Sequence, residues 1–353
     1  MEYPPVSVVM PVRNEERHLA ESVRHVLAQD YPGPLEVVLA VGPSHDGTEQ
    51  VAKGLADGRV TVIANPSGRI PAALNAARRA ARYDVIARVD GHALLPPGYL
   101  RTAVAALATQ GAADVGGIMA AEGVTPFEQA VAWGMTSPAG VGAAAFHTGG
   151  RAGPADSVYL GVYRREAIEQ AGGYDEEMLR AEDWELNYRI SARGGLIWFT
   201  PDLRITYRPR ASTRELGAQY FNYGRWRRVI VREHPETANF RYLAPPGAAA
   251  LVAAGLLAGL AGLAGLAAGA PAAVSSLAVG LIIPLTYLLG ITAVSAALSN
   301  GVQASVRARL PLVLATMHMC WGAGFLTSPP GLHRVRGRST TARSGQVTAD
   351  ARE

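Results

Sequence analysis

The sequence has few features of a secreted or disulfide-bonded protein. Its 353 residues include one cysteine, Cys320, so an intrachain disulfide is excluded and a reducing compartment is expected for any water-soluble part. The N-terminal segment lacks the basic start and the long apolar run of a signal peptide. Insertion into a membrane is therefore predicted to depend on segments further along the chain.

Charged residues are also scarce, at 18% of the chain, and most of them precede residue 242. The net charge of +4 and the sequence pI near 9.3 raise the question of nucleic-acid binding, but no zinc-ligand spacing or recognised nucleic-acid module accompanies the basic residues. The stretch before the first long apolar segment instead contains a group of arginines: Arg225, Arg227, Arg228, Arg232 and Arg241. This placement is typical of residues that face anionic lipid, so a membrane is the expected partner and nucleic acid is not.

The uneven composition predicts a soluble part and a membrane part. Residues 1–240 have the composition of a water-soluble enzyme domain, and residues 241–328 that of a membrane domain with three apolar segments: 247–269, 273–298 and 310–327. The first two exceed the about 20 residues that a helix needs to span a bilayer, whereas the third is barely long enough. Residues 329–353, rich in Ser, Thr and Arg, are expected to form a disordered basic tail.

The positions of the arginines predict the membrane topology. With the enzyme domain in the cytoplasm, two spans return Arg307 and Arg309 to the same side, as the positive-inside rule expects. A third full span would place the arginines of the tail outside, so segment 310–327 either spans, re-enters or lies in the interface. The expected location is the cell membrane, with several spans and a cytoplasmic enzyme domain.

The first 90 residues alternate short β-branched runs with helical patterns. Strands are predicted at 6–12, 35–41, 60–64 and 85–89, with helices at 15–29, 48–55 and 71–81 between them. This alternation predicts an α/β fold with a doubly wound, mostly parallel sheet. Ligands of such sheets bind beyond the carboxyl ends of the strands, so the strand-end segments 11–15, 42–48 and 90–92 are predicted to converge on one crevice.

Asp90 follows the apolar run 85–89, and its carboxylate is therefore expected at the edge of that crevice. His92 lies two residues on and points to the same side if the chain stays extended. A carboxylate and an imidazole can together hold a divalent cation. The alternative is an Asx turn, because Asp-Gly is among the commonest turn dipeptides.

Glu182 and Asp183 precede a helical pattern over residues 184–193. One interpretation is a helix N-terminus whose acidic residues interact favourably with the helix dipole. The other is a general base that removes a proton from an attacking hydroxyl. The glycine-containing turn at 171–175 offers a way to bring the two acids to the crevice.

Aromatic residues and arginines interleave over residues 213–232, where Tyr220, Tyr223, Arg225 and Trp226 form a pattern suited to the lipid interface. Such a helix would present a lipid-linked acceptor to Asp183. The alternative is an ordinary packing helix with a basic edge.

Several motifs, taken in order, resemble glycosyltransferase family 2 of the GT-A fold over about residues 5–235. They are residues 8–15, Asp46-Gly-Thr48, Ala73-Leu-Asn75, the Asp90 strand end, Gly172-Gly-Tyr-Asp175 and Glu182-Asp183. Within that family, the form of residues 88–92 and the trailing apolar segments look most like membrane-associated, succinoglycan-type glucosyltransferases of exopolysaccharide assembly. The resemblance implies inverting transfer of glucose or a related hexose. The donor would be a UDP-linked nucleotide sugar, and the acceptor a membrane-held, polyprenyl-diphosphate-linked saccharide.

The resemblance also implies a role for each matching residue. The donor-binding residues would be Pro11, Arg13, Glu15, Asp46, Arg69, Asn75 and Asp90. Asp90, with His92 in place of the family's second aspartate, would hold Mn²⁺ or Mg²⁺. The acidic pair Glu182-Asp183 would supply catalysis, with Asp183 as the base.

The sequence departs from the family pattern at three places. His92 is a softer ligand than the carboxylate it replaces. Val41-Gly42 stands where many relatives carry aspartates that contact uracil, which leaves the base of the donor open. Residues 222–226 differ from the Gln-x-x-Arg-Trp motif of processive relatives, which favours single transfers.

Two other functions compete with this interpretation. A nucleotidyltransferase would need a glycine-rich phosphate loop with a lysine, and residues 42–47 fit neither common phosphate fingerprint. A non-catalytic membrane scaffold that binds a nucleotide sugar would be consistent with the departures at His92 and Val41-Gly42.

Overall fold

The computed structural model describes residues 3–56, 58–142 and 144–332, and it divides into two compact units. We call the first the sheet unit; its described part lies within Met1–Ala120 and Ala144–Tyr207. We call the second the helical unit; it comprises Ala121–Ala143 and Arg208–Leu332. Most of the predicted disordered tail, from residue 333 on, lies outside the described residues. The predicted domain boundary at residue 240 remains a prediction.

The sheet unit alternates strands and helices as its N-terminal sequence predicts. Its strands are β1 Val6–Val12, β2 Leu35–Val41, β3 Val60–Ala64, β4 Val85–Arg88, β5 Asp114–Ala121, β6 Gly153–Pro154, β7 Tyr159–Arg164 and β8 Ile197–Tyr207. Its helices are α1 Leu19–Leu27, α2 Thr48–Gly54, α3 Ile70–Ala80, α4 Tyr99–Thr109, α7 Ala145–Thr148, α8 Arg165–Gln170 and α9 Glu182–Ala192. Helices α5 and α6 belong to the helical unit.

The eight strands form one mixed sheet in the order β3-β2-β1-β4-β7-β5-β8-β6. The four N-terminal strands are parallel, with Val8 opposite Val37 on β2 and Ala87 on β4. Strand β7 is antiparallel to both β4 and β5, and β6 is antiparallel to β8. The predicted parallel strands are thus present, and the antiparallel pairings involve the strands that come later in the sequence.

Both faces of the sheet are buried, which explains the continuous apolar runs of its central strands. Val8 and Met10 lie in one hydrophobic cluster, and Val9 lies in the other, on the opposite face. The second cluster includes Ile86 of β4 together with Leu186 and Ile190 of α9. Helix α9 therefore packs on the face to which every second residue of β4 points.

The helical unit contains the long apolar helices. Its elements are α5 Pro126–Thr136, α6 Pro138–Val141, α10 Thr213–Glu233, a 3-10 turn at Pro235–Thr237, α11 Phe240–Ala267, α12 Ala273–Leu298, α13 Ala304–Arg307 and α14 Leu310–Thr327. Three stretches are long and apolar enough to cross a membrane: Phe240–Ala267, Ala273–Leu298 and Ala304–Thr327. Their outer faces expose large apolar side chains such as Leu257 and Leu289, each 67% exposed, which suits contact with lipid.

Small residues let these helices approach closely. A Cβ at Gly280 of α12 would overlap the backbone of Gly259 on α11, and a Cβ at Gly224 of α10 would overlap the Trp321 carbonyl on α14. His318 of α14 is held on both sides: its Nδ1 lies 3.2 Å from the Tyr287 hydroxyl and its Nε2 lies 2.8 Å from the carbonyl oxygen of Ala139. Segment 126–141 is thereby joined to the apolar helices.

Candidate active site

The carboxyl end of β1 continues into the first predicted donor-binding segment. Pro11 is half-buried in β1, whereas Arg13 is exposed and donates to two carbonyls of neighbouring loops, Pro43 at 3.2 Å and Gly68 at 3.4 Å. The backbone N–H of Glu15 donates to the Thr48 hydroxyl at 2.7 Å. These contacts bring the ends of β1, β2 and β3 together, as the strand order predicts.

Asp46 shapes the loop before α2. Its Oδ1 accepts hydrogen bonds from the Thr48 hydroxyl at 2.5 Å and from the Thr48 N–H at 3.1 Å, and its Oδ2 accepts from the Glu16 N–H at 3.3 Å. The hydrogen bond from the Thr48 hydroxyl is the main cause that lowers the pKa of Asp46. The carboxylate therefore holds the first residue of α2 and ties it to the loop after β1; its predicted contact with a donor stays a prediction.

Arg69 and Asn75 contact the turn that leads to α9. Arg69 Nη1 lies 3.2 Å from a carboxylate oxygen of Glu177. The buried Asn75 amide donates to the Tyr174 carbonyl at 2.8 Å and accepts from the Tyr174 N–H at 2.9 Å. It also donates to Glu176, at 3.1 Å. Both ends of the Asn75 amide are therefore engaged with this turn, and its predicted contact with a donor stays a prediction.

Asp90 lies beyond the end of β4, where it was predicted. Its Oδ1 is 3.3 Å from Nε of Arg88, and its side chain is 23% exposed. Arg88 in turn donates from Nη2 to Oε1 of Glu182 at 2.9 Å. One guanidinium thus connects the predicted donor-binding aspartate with the predicted catalytic pair.

The acidic pair stands at the first turn of α9, two residues earlier than the helical pattern predicted. Ala181, just before it, has a φ of 59°, the left-handed region that non-glycine residues rarely occupy. Glu182 is buried, with a side chain 7% exposed against Arg88, whereas Asp183 is half-buried and accepts a hydrogen bond from the Trp184 N–H at 2.7 Å. The two acids therefore have different surroundings, and only Asp183 is accessible enough to meet an acceptor.

The charges of this network act on one another. Burial raises the pKa of the Glu182 carboxyl and Arg88 opposes that shift. For Arg88, burial lowers the pKa, but Asp90, Glu182 and Asp183 more than offset it, so the pKa lies well above its ordinary value. Arg88 therefore stays charged at any pH at which the protein is folded.

His92 is half-exposed and its Nδ1 lies 2.8 Å from a carboxylate oxygen of Glu15. Within residues 3–56, 58–142 and 144–332, no three His, Cys, Asp or Glu side chains form a group that could hold a metal ion. Asp90 nevertheless keeps Oδ2 outside its contact with Arg88. Asp90, His92 and Glu15 offer carboxylate and imidazole donors of the kinds that Mn²⁺ accepts, but the three are not gathered into one group, so the predicted cation site stays a prediction.

The predicted acceptor and membrane residues lie on α10 in the helical unit. Tyr220 and Trp226 are buried, at 5% and 6% exposure, and α10 packs against α14. For these two side chains the structure differs from a place in the lipid interface and agrees with the packing-helix alternative. Tyr223 is 39% exposed and Arg225 is half-buried over the Phe221 ring, so these two remain candidates.

Arg88 joins this network, although the sequence interpretation gave it no role. A signal was present, because an arginine inside the apolar run 85–89 must find partners if the strand is buried. Its partner Glu182 lies 94 residues away in the sequence, and nothing local indicates that pairing.

Comparison with known proteins agrees with the architecture. The model of the family described as glycosyl transferase family 2 matches residues 7–172. Over 328 residues the chain is 32% identical to succinoglycan biosynthesis protein ExoA of Rhizobium meliloti (strain 1021), and the match covers 90% of this chain and 93% of that protein. The chain belongs to glycosyltransferase family 2. It is therefore an enzyme, a glycosyltransferase.

Two further similarities concern part of the chain and the fold. A putative glycosyltransferase, EpsE of Bacillus subtilis (strain 168), is 41% identical over 108 residues, which are 30% of this family 2 chain and 38% of EpsE. The solved mannosyltransferase PcManGT from Pyrobaculum calidifontis, in complex with GDP-Man and Mn²⁺, aligns with a TM-score of 0.58 at 19% identity. That alignment covers 93% of this chain and 88% of PcManGT, and it confirms the GT-A fold.

Proposed function

We propose that this family 2 glycosyltransferase transfers a hexose, with inversion, from a UDP-linked donor to a hydroxyl group of a membrane-held saccharide. The observation that carries the proposal is the connection of Asp90 to Glu182-Asp183 through Arg88. It brings the donor-binding edge of the sheet and the acidic start of α9 into one electrostatic network.

The donor side of the site is assigned to the strand-end residues. Arg13, Glu15 and Asp46 lie on loops that hydrogen-bond to one another beyond β1 and β2 and would surround the nucleotide. Asp90 and His92 would hold Mn²⁺ or Mg²⁺. When bound, the cation acts as a Lewis acid that stabilises negative charge on the departing diphosphate. The related fold of PcManGT, solved with GDP-Man and Mn²⁺, supports this assignment.

Asp183 is assigned the role of general base. It takes the proton of the acceptor hydroxyl, whose oxygen then forms a bond to the anomeric carbon from the face opposite the leaving group. The bond from that carbon to the diphosphate oxygen breaks, and its electron pair leaves with the nucleoside diphosphate. One displacement inverts the configuration, and no nucleophilic side chain is needed.

The acceptor is proposed to be a polyprenyl-diphosphate-linked saccharide in exopolysaccharide assembly. The name of ExoA, to which most of the chain is similar, places that relative in succinoglycan biosynthesis. The three apolar helices would keep the enzyme at the membrane that holds such an acceptor, with the sheet unit in the cytoplasm. Tyr223 and Arg225 are the proposed contacts with the lipid interface.

The test uses the full-length protein in lipid nanodiscs, with a panel of nucleotide sugars and polyprenyl-linked acceptors. Wild type is expected to release a nucleoside diphosphate in amounts that match new glycolipid. Asp183→Asn should lower transfer by ~10²-fold or more while donor affinity stays within a few-fold, because the base acts in the transition state. Asp202→Asn removes an exposed carboxylate from β8 of the same unit and serves as the matched control, with transfer unchanged.

Each other outcome selects a different function. Donor binding without turnover in wild type would indicate the non-catalytic scaffold. Release of inorganic diphosphate from a nucleoside triphosphate and a sugar phosphate would indicate a nucleotidyltransferase. Near-normal transfer by Asp183→Asn would remove Asp183 from the mechanism.

A further inference from the structure

We propose that Arg88 is a positioning residue for the transfer reaction. Its guanidinium holds the carboxylates of Asp90 and Glu182 together and thereby fixes Asp183 relative to the donor-binding edge of the sheet. The inference rests on the proposed function, which gives Asp90 and Asp183 their roles. It assigns a task to Arg88, and it changes the task of Glu182 from catalysis to the support of its neighbour.

The alternation of β4 aims Arg88 at α9. Ile86 and Arg88 are two residues apart on a strand and so point to the same face, and Ile86 lies in the cluster that contains Leu186 of α9. Arg88 therefore extends towards the helix that carries the acidic pair. Its side chain is 8% exposed, and so is screened from water along most of its length.

The guanidinium suits a contact with two separate carboxylates. Nε is 3.3 Å from Asp90 and Nη2 is 2.9 Å from Glu182, so two nitrogens of one rigid plane contact two different segments of chain. Nη1 is buried and has no hydrogen-bond partner among the described residues. The burial of Arg88 is therefore not explained by complete hydrogen bonding of its own guanidinium. A lysine, with a single ammonium group, cannot reproduce this geometry.

The start of α9 needs such support. Ala181 occupies a left-handed conformation that costs an L-residue about 1–2 kcal/mol, and its side chain offers no cap to the helix. The contact between Glu182 and Arg88 is thus a tertiary interaction that holds this strained turn. Neighbouring helix positions are about 100° apart around the axis, so a fixed inward Glu182 directs Asp183 to a different, more open side.

The experiment compares variants of the full-length protein in nanodiscs: Arg88→Gln, Arg88→Lys, Glu182→Gln and the double variant Arg88→Gln/Glu182→Gln. Glu185→Gln is the matched control, because Glu185 is a buried glutamate one turn along the same helix whose arginine partner is Arg189, at 2.6 Å. Three quantities are measured for each variant: the thermal unfolding temperature, the affinity for UDP with Mn²⁺, and the kcat for transfer at saturating donor.

The three single variants in the network are expected to lower kcat by ~10-fold or more, and Glu185→Gln by less than ~3-fold. Arg88→Gln should also weaken UDP binding, because Asp90 loses its partner, while Glu182→Gln leaves UDP affinity within ~2-fold. The double variant should unfold at a higher temperature than Arg88→Gln, because it no longer buries an unpaired carboxylate, and its kcat should not fall further.

Two results would overturn the inference while leaving the proposed function intact. In the first, wild type is active and Asp183→Asn is inactive, but Arg88→Lys and Glu182→Gln keep as much activity as the control Glu185→Gln. The other is a double variant whose losses in kcat and unfolding temperature are the sums of the single losses. An inactive wild type that releases no nucleoside diphosphate from any donor would instead contradict the proposed function.

Discussion

The sheet unit and the helical unit hold neighbouring segments at a fixed separation by different means. In the sheet unit, buried carboxylates meet arginines from distant segments, as in Arg88 with Glu182 and Arg82 with Glu36. In the helical unit, glycines bring backbones into direct contact, as at Gly224 and Gly280. Contacts of the first kind depend on charge and pH, and contacts of the second kind depend on volume. The two units should therefore respond to different perturbations.

The largest stability effect is expected from added volume in the helical unit. Gly224→Ala places a methyl group on the Trp321 carbonyl, so α10 and α14 must move apart, at a cost of about 1–3 kcal/mol or more. Gly290→Ala on α12 is the matched control, because no atom lies within 4 Å of its new Cβ, and it should stabilise its helix by about 0.5–1 kcal/mol. The unfolding temperature, measured in detergent, should fall for Gly224→Ala and rise for Gly290→Ala. A lower unfolding temperature for both variants would contradict the prediction.

A smaller and pH-dependent effect is expected from Glu36 in the sheet unit. Burial raises the pKa of this carboxyl, but hydrogen bonds from Ser7 and Arg82 and the charge of Arg82 more than offset it, and the net shift is downward. A folded-state pKa below the unfolded value contributes stability that is present at neutral pH and is lost as the pH falls through the folded-state pKa. Glu36→Gln should therefore cost about 1–2 kcal/mol at pH 7 and progressively less below about pH 4.

The control for Glu36 is Glu49→Gln, which removes an exposed pair with Lys53 on one helix. Such surface pairs contribute little to stability, so Glu49→Gln should unfold at the same temperature as wild type both at pH 7 and below about pH 4. A Glu36→Gln difference in unfolding free energy that does not shrink as the pH falls below about 4 would show that the hydroxyl and backbone contacts of the side chain matter and its charge does not.

The smallest effect is expected at the half-exposed pair of His92 and Glu15, where charge is present but burial is slight. His92→Asp replaces an imidazole by an oxygen ligand, and Mg²⁺ prefers oxygen. The ratio of Mn²⁺ to Mg²⁺ affinity, measured by titration in the presence of UDP, should fall by about 3- to 10-fold. An unchanged ratio would leave Asp90 as the protein ligand and give His92 only a contact with Glu15.

The sequence predicted the parallel half of the sheet closely. Strands β1 to β3 agree to the residue, and β4 ends one residue early, because each is a compact β-branched run between turn residues. Strand β5, Asp114–Ala121, was not predicted because its two glycines and its alanines give no strand pattern. The start of α9 was placed late because the residue before it is alanine rather than a polar cap.

The sequence indicated single residues of the candidate site better than it indicated the contacts between them. The positions of Asp90 and Asp183 at a strand end and a helix start follow from local patterns, whereas Arg88 and Asn75 contact partners more than 90 residues away in the sequence. The burial of Tyr220 and Trp226 was also missed, because it depends on tertiary packing that the local sequence of α10 does not show. Local periodicity identifies an amphipathic helix but does not reveal what covers each of its faces.

The helical unit is built from two separate stretches of the chain, Ala121–Ala143 and Arg208–Leu332, with β6, β7 and β8 between them. Gly134 of the first stretch faces Met317 of the second, and Ala139 accepts a hydrogen bond from His318. A chain truncated after Tyr207 would therefore still contain α5 and α6, but it would lack the helices against which these two pack. A shortened form of this glycosyltransferase that keeps only the sheet unit would therefore have to lose both stretches of the helical unit.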